Sequence, residues 1–287
     1  MNQEIIDLYD EYIHGGMTRR VFLERLAAFA GSSAVALALL PVLEGRSEQQ
    51  APLVPENAPN LLIRKAEYEA AGAKMTGYLA RPKGTQKLPA VIVIHENRGL
   101  NAHHEDVTRR MATEGFLALG VDMLSPLGGT PADPNEAGKM LSSLNQDETV
   151  ARLVGTVKFL AAHPESTGKV GAIGFCWGGG MVNSLAVAAG PALHAGVPYY
   201  GRQVPAADVP KISAPLLLHY AGTDERINAG IAEYEAALKA NNKTYQIYMY
   251  EGAGHAFNNN TGPRYNKEAA ELAWGRTIAF LKKHLAG

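Results

Sequence analysis

Two rhythms of apolar and polar positions run along this chain. Residues 90–94, Ala-Val-Ile-Val-Ile, are apolar at every position, as expected of a short strand covered on both faces. Similar runs at 116–121, 169–175, 194–199, 215–220 and 245–250 predict further strands. Between them, segments with helical spacing predict helices at 101–114, 177–189, 228–241 and 266–285 and a helical region at 135–162. Residues 62–71 and 74–81 are strands joined at Ala71-Gly72-Ala73, an antiparallel hairpin at a sheet edge. Strands alternating with helices imply an α/β fold: a mostly parallel central sheet with helices on both faces and the hairpin at its N-terminal edge. No internal repeat and no insertion long enough for a large cap domain interrupts the pattern.

The first 60 residues read differently. Ile5, Leu8 and Tyr12 share one face of a short helix ending near Gly15-Gly16. Paired arginines, Arg19-Arg20, then precede Phe22-Leu23 and a mostly apolar stretch from Leu26 to Leu43. This resembles a twin-arginine export signal, which would place the protein in the periplasm. Against it, the preceding region is acidic, Ala36-Leu37-Ala38 lies inside the apolar stretch rather than after it, and Pro41 interrupts that stretch. The other reading is a pair of helices packed on the domain or on the second subunit of a homodimer, which leaves the protein in the cytoplasm; the weaknesses of the signal favour it. Residues 44–60, rich in Pro, Gln and Glu, read as a linker. Residues 1–60 are thus an N-terminal helical extension or signal with its linker, and 61–287 a catalytic domain.

Composition adds limits. The chain has 287 residues and a formal net charge of −1, without a long basic run, which argues against a nucleic-acid partner. Its one cysteine excludes an intrachain disulfide and a multi-cysteine metal site. No HxxxH or HExxH pair occurs, so a metal centre has no support in the sequence, and nothing calls for a cofactor.

The chemistry centres on Gly174-Phe175-Cys176-Trp177-Gly178, a strand, a sharp turn and a helix start. A lone cysteine is usually a small buried hydrophobe. Here it occupies the nucleophile position of a Gly-x-Ser-x-Gly elbow. A thiol at a helix N-terminus is acidified, and the Trp177 amide is placed to receive an oxyanion. A base and an orienting acid should follow in chain order at later strand ends. Asp224, after 215–220, and His255, after 245–250, stand there. Rival acids are Asp122, Asp208 and Glu225; Asp122 is the strongest, but it precedes the nucleophile. A second oxyanion donor is expected from the loop His95-Glu96-Asn97-Arg98-Gly99, at the Asn97 amide. Glu96 is an unusual acid beside a thiol. His103 and His104 read as surface residues at a helix start, and His95 as a packing residue near the site.

From about Leu61 to the C-terminus the chain resembles the dienelactone hydrolase family (carboxymethylenebutenolidases), of the α/β-hydrolase fold. The matching segments are His95-Glu96-Asn97-Arg98-Gly99, Gly174-Phe175-Cys176-Trp177-Gly178-Gly179, Tyr199-Tyr200-Gly201, Gly222-Thr223-Asp224 and Gly252-Ala253-Gly254-His255-Ala256-Phe257. The resemblance implies a Cys176-Asp224-His255 triad and a Glu96 that contacts the resting thiol and moves when substrate binds. In the family, an arginine four residues after the catalytic histidine helps hold a substrate carboxylate; Asn259 stands there. Arg98 and Arg202 lie on loops at the same end of the sheet as substitute cations. The expected activity is hydrolysis of a small ester or lactone through a thioester on Cys176, with uncharged substrates preferred. Two alternatives are phosphotriester hydrolysis by the same triad and a non-catalytic binding protein of the same fold.

Overall fold

The computed structural model describes residues 3–13, 17–43 and 51–286. Helices α1 (Gln3–Ile13), α2 (Arg19–Ala30) and α3 (Ser33–Leu43) come first, three rather than the expected two. Thr18 caps α2, and Gly31, at φ 80°, ends it in the left-handed region. The chain then bends 112° into α3, which continues through Pro41. Ile5, Leu8, Phe22, Leu26, Leu40 and Leu43 form a small core of their own. Among the described residues no single helix is long and apolar enough to cross a membrane. The end expected for the first helix at Gly15-Gly16, and residues 44–50 of the linker, lie outside the described residues.

The rest of the linker is fastened to the catalytic domain. The Val54 N–H donates to Asp106 (2.8 Å), and Arg109 Nε donates to the Val54 carbonyl (2.7 Å).

The sheet follows. Strands β1 (Leu61–Ala70) and β2 (Ala73–Pro82) form the predicted hairpin. Then come β3 (Leu88–Ile94), α4 (Ala102–Thr113), β4 (Leu117–Asp122), α5 (Pro134–Ser142), α6 (Gln146–Ala162), β5 (Ser166–Phe175), α7 (Trp177–Ala189), β6 (Ala195–Tyr199), β7 (Leu216–Ala221), α8 (Glu225–Asn228), α9 (Ile231–Ala240), β8 (Tyr245–Tyr250) and α10 (Lys267–Leu285). The helical region expected at 135–162 consists of two helices, and 228–241 resolves into α9 preceded by the single turn α8.

All eight strands form one sheet, in the order β1-β2-β4-β3-β5-β6-β7-β8. β1, β2 and β4 pair antiparallel; from β4 onward across the sheet every pairing is parallel. β3 explains why its sequence is apolar throughout. Ala90, Ile92 and Ile94 join the core containing α6, while Val91 and Val93 join the core containing α4. After β3 the chain steps one way to β4 and then crosses back over β3 to β5. The carboxyl ends of β3 and β5 therefore flank a switch point, where loops diverge and leave a crevice.

Candidate active site

The turn after β5 carries Cys176 at φ 55° and ψ −115°, a conformation that L residues rarely adopt. It persists because its neighbours lack side chains. A Cβ on Gly174 would lie 2.2 Å from the Gly178 carbonyl oxygen, and one on Gly178 would lie 2.4 Å from that of Ile94. Both obstacles are backbone, so neither can rotate aside. Gly174→Ala is expected to destabilise the fold by about 3 kcal/mol, the upper end for overpacking. A urea midpoint indistinguishable from wild type would show that the turn has slack.

Cys176 is 8% exposed. Asp224, just beyond β7, and His255, in the loop after β8, meet beside it. His255 Nδ1–H donates to Asp224 Oδ2 at 2.5 Å, and the imidazole also hydrogen-bonds Cys176. Asp224 Oδ1 accepts the Ile227 N–H at the start of α8, which fixes the carboxylate. Burial pulls the His255 pKa down. The charge at Cys176 and the hydrogen bonds with Asp224 and Cys176 outweigh burial and push it up to about 10. His255 therefore holds its proton firmly whenever Cys176 carries a negative charge.

The rival acids are engaged elsewhere. Asp122 accepts the Leu124 N–H and both the N–H and hydroxyl of Thr130, tying two loops together. Asp208 pairs with Lys211, and Glu225 is exposed.

Glu96 lines a cavity and lies close to Cys176 and His255. Its carboxylate accepts Asn259 Nδ2–H at 2.9 Å and the Tyr200 hydroxyl at 3.3 Å. Burial and the charge of Cys176 raise its pKa, while Asn259, His255 and Arg264 oppose the rise. A negative charge is thus comfortable on Glu96 or on Cys176 but costly on both. Tyr200 sits at φ 37° and packs its ring on His255 at 5.1 Å. Sequence reading quoted Tyr200 in a motif but gave it no role.

The loop after β3 is held by two histidines. His95 Nδ1–H donates to the Glu96 carbonyl (2.7 Å), and its Nε2 accepts the Met123 N–H (3.2 Å). The His95 ring stacks on Trp177 at 5.6 Å. His104 Nε2 accepts the Glu96 N–H (3.1 Å), and its Nδ1–H donates to Asn101 (2.9 Å). Both rings are therefore the neutral Nδ1–H tautomer, and burial lowers both pKa values. His103 and His104 are 5% and 0% exposed, which corrects their reading as surface residues. His103 is hydrogen-bonded to Asn260 (3.1 Å), a partner far away in sequence.

A cavity of about 640 Å³ opens at this end of the sheet. Glu96, Asn97, Arg98, His103, Asn259, Asn260 and Arg264 line it, with Ala256 next to the histidine. Of the two expected substrate cations, Arg98 lines the cavity and Arg202 does not: it is exposed and absent from the wall, and its carbonyl accepts Asn183 Nδ2–H. Arg264, nine positions beyond His255, takes a place that the sequence reading assigned to none. Its only signal there was the Gly262-Pro263 turn that precedes it. Burial and the neighbouring Arg264 pull the Arg98 pKa down to about 10, so Arg98 remains a cation at neutral pH.

The sequence profile described as the Dienelactone hydrolase family matches residues 75–285, and one described as YqhI-like matches residues 1–31. A Saccharolobus solfataricus protein named as a candidate carboxymethylenebutenolidase is 33% identical, over 75% of this chain and 96% of its own length. A Bradyrhizobium protein assigned as a 2-oxo-3-(5-oxofuran-2-ylidene)propanoate lactonase is 32% identical, over 75% of this chain and 92% of its own. The crystal structure of a candidate dienelactone hydrolase from Klebsiella pneumoniae superimposes with a TM-score of 0.71 at 29% identity, covering 78% of this chain and 99% of the other.

Proposed function

We propose that this chain, which belongs to the dienelactone hydrolase family and is a lactone or ester hydrolase, works through Cys176, His255 and Asp224 and a thioester intermediate. The observation that carries this is the hydrogen-bonded run from Asp224 through His255 to Cys176 at a strained turn opening a helix.

The Cys176 thiolate attacks the substrate carbonyl. The oxyanion is received by the backbone N–H groups of Trp177 and Asn97. Trp177 opens α7, so the helix itself makes no use of that N–H. The peptide is planar and trans, so the His95 bond to the Glu96 carbonyl also sets the direction of the Asn97 N–H. The tetrahedral adduct collapses, and the leaving oxygen takes the proton from His255. In a lactone that oxygen remains in the acyl group as a new hydroxyl. His255 then takes a proton from water, the hydroxide attacks the thioester, and Cys176 leaves as the thiolate.

His95→Ala is expected to lower kcat by ~10–100-fold, less than the ~100–1000-fold for deleting an oxyanion donor outright. KM should change by much less, because the loss is in the transition state. A matching rise in KM with kcat intact would remove His95 from oxyanion positioning.

Glu96 acts as the gate on the thiol. Cys176 and His255 are not on the cavity wall, whereas Glu96 is, so substrate meets the carboxylate before it meets the thiol. Glu96→Gln removes a negative charge beside Cys176 and is expected to shift the pH midpoint of Cys176 alkylation downward and speed inactivation by peroxide. If both stay at wild-type values, Glu96 does not control the thiol.

The cavity favours a small lactone or ester bearing a carboxylate, because Arg98 and Arg264 both reach it. This revises the preference for uncharged substrates drawn from Asn259. Asn259 holds Glu96 instead. The test is a panel of a carboxylated dienelactone, a neutral p-nitrophenyl ester and an aryl dialkyl phosphate, with mass spectrometry to catch an acyl adduct. An adduct on Cys176 in wild type, absent in Cys176→Ala, is expected. Turnover of the carbonyl substrates at wild-type rates by Cys176→Ala would overturn the mechanism.

A further inference from the structure

The α1–α3 unit lies outside the segment that the dienelactone hydrolase profile matches, which begins only at residue 75. Yet the unit reaches the catalytic cavity. Tyr9 of α1 and Leu43 of α3 both line it, at 3% and 2% exposure. The Arg98 guanidinium, on the loop that also carries Glu96 and Asn97, lies 5.5 Å from the centre of the Tyr9 ring. Tyr9 is braced from behind: its ring packs on Phe22 at 5.8 Å, and Tyr12 stacks on Phe22 at 4.4 Å. The Tyr9 hydroxyl is buried and has no hydrogen-bond partner among the described residues.

We propose that the N-terminal helical unit supplies a wall of the catalytic pocket, with Tyr9 and Leu43 as specificity-determining residues. Leu43 and the Tyr9 ring limit the size of the acyl group that fits before Cys176. The ring also steadies the Arg98 cation, through the attraction of a guanidinium to an aromatic face. The substrate class that follows is a compact lactone or ester with an anionic end, smaller than a relative lacking this unit would accept. This rests on the assignment of the Cys176 pocket as the reaction site.

The test uses the full-length chain in four variants: Tyr9→Ala, Tyr9→Phe, Tyr9→Trp and Leu43→Ala. Neutral p-nitrophenyl esters from acetate to octanoate measure acyl size, and a carboxylated lactone measures Arg98. Tyr9→Ala and Leu43→Ala are expected to raise octanoate over acetate in kcat/KM by ~10-fold. Tyr9→Trp should lower the same ratio, a change that a partly unfolded unit would not produce. Tyr9→Ala should also raise KM for the carboxylated lactone by ~3–30-fold, the worth of one cation–π contact. Tyr9→Phe keeps the ring and should show little of either effect. Alkylation of Cys176 reads the wall without any turnover: Tyr9→Ala should speed a bulky maleimide more than iodoacetamide. If no ester is hydrolysed but the alkylation ratio shifts, the hydrolase mechanism fails and the wall stands. If esters are hydrolysed and neither acyl preference nor alkylation ratio changes in Tyr9→Ala and Leu43→Ala, the wall is overturned.

Discussion

Cys176→Ala is expected to lower kcat by on the order of 10⁴–10⁶, with the fold intact. The fold should survive because the substitution removes one sulfur atom from a residue that packs by its backbone. Its N–H donates to the Tyr199 carbonyl (3.0 Å), and its own carbonyl accepts the Gly180 N–H (3.1 Å). His255→Ala should cost nearly as much, because in the proposed mechanism His255 is both the partner of the thiolate and the proton carrier for the leaving oxygen. Asp224→Asn should cost somewhat less, on the order of 10⁴. It replaces the acceptor of His255 Nδ1–H with a group that can present an amide N–H, reversing the tautomer. The three losses should not add, since each variant breaks the same unit. Pre-steady-state kinetics on a p-nitrophenyl ester would check this, with a burst in wild type and none in Cys176→Ala. A burst that survives in Cys176→Ala would place the nucleophile elsewhere.

Much of this site is legible in the chain because its logic is local. The apolar run of β3 declares a strand buried on both faces, and the glycines around Cys176 declare a turn that excludes side chains. Strand ends followed by Gly-Thr-Asp and Gly-His place Asp224 and His255 at one end of the sheet, since all the strands concerned run parallel. What was not legible depends on partners remote in sequence. Helix α4 carries His-His-Glu-Asp-Val-Thr-Arg-Arg, which by hydropathy belongs at a surface. His103, Asp106 and Arg109 are nonetheless buried, with hydrogen bonds to Asn260 and to the backbone of Val54. No periodicity announces partners that far away. The cations show the same limit. Counting four positions from His255 gives Asn259, but the path of the loop, through turns at Asn259 and Gly262, brings Arg264 to the cavity. Arg202 follows a strand at the correct end of the sheet and still lies outside. Strand order fixes where a loop starts, and its own turns decide which side chain arrives.

Arg264→Ala is expected to lower kcat/KM for a carboxylated lactone by about 10–100-fold, while a neutral ester of similar size changes less than about threefold. A hydrogen bond to a charged group contributes roughly 1.5–3 kcal/mol, which is the source of that range. Most of the loss should appear in KM, because the carboxylate keeps its charge throughout the reaction and is held equally in the ground and transition states. Arg98→Ala should act in the same direction. The two should be coupled: each guanidinium repels the other, as the lowered pKa of Arg98 reflects, and a bound carboxylate relieves both at once. Removing one therefore weakens the case for the other, and the double variant should lose less than the product of the single losses. Arg264 also draws the Glu96 pKa down, so Arg264→Ala should favour the protonated carboxyl and leave the thiol gate less repulsive. Alkylation of Cys176 in the free enzyme should then become faster even as the carboxylated lactone is handled worse. Raising the salt concentration should erode the preference for the charged substrate in wild type and have little effect on the neutral ester. Equal losses for charged and neutral substrates in Arg264→Ala would make the residue a support for the loop and leave the pocket without a defined anion site.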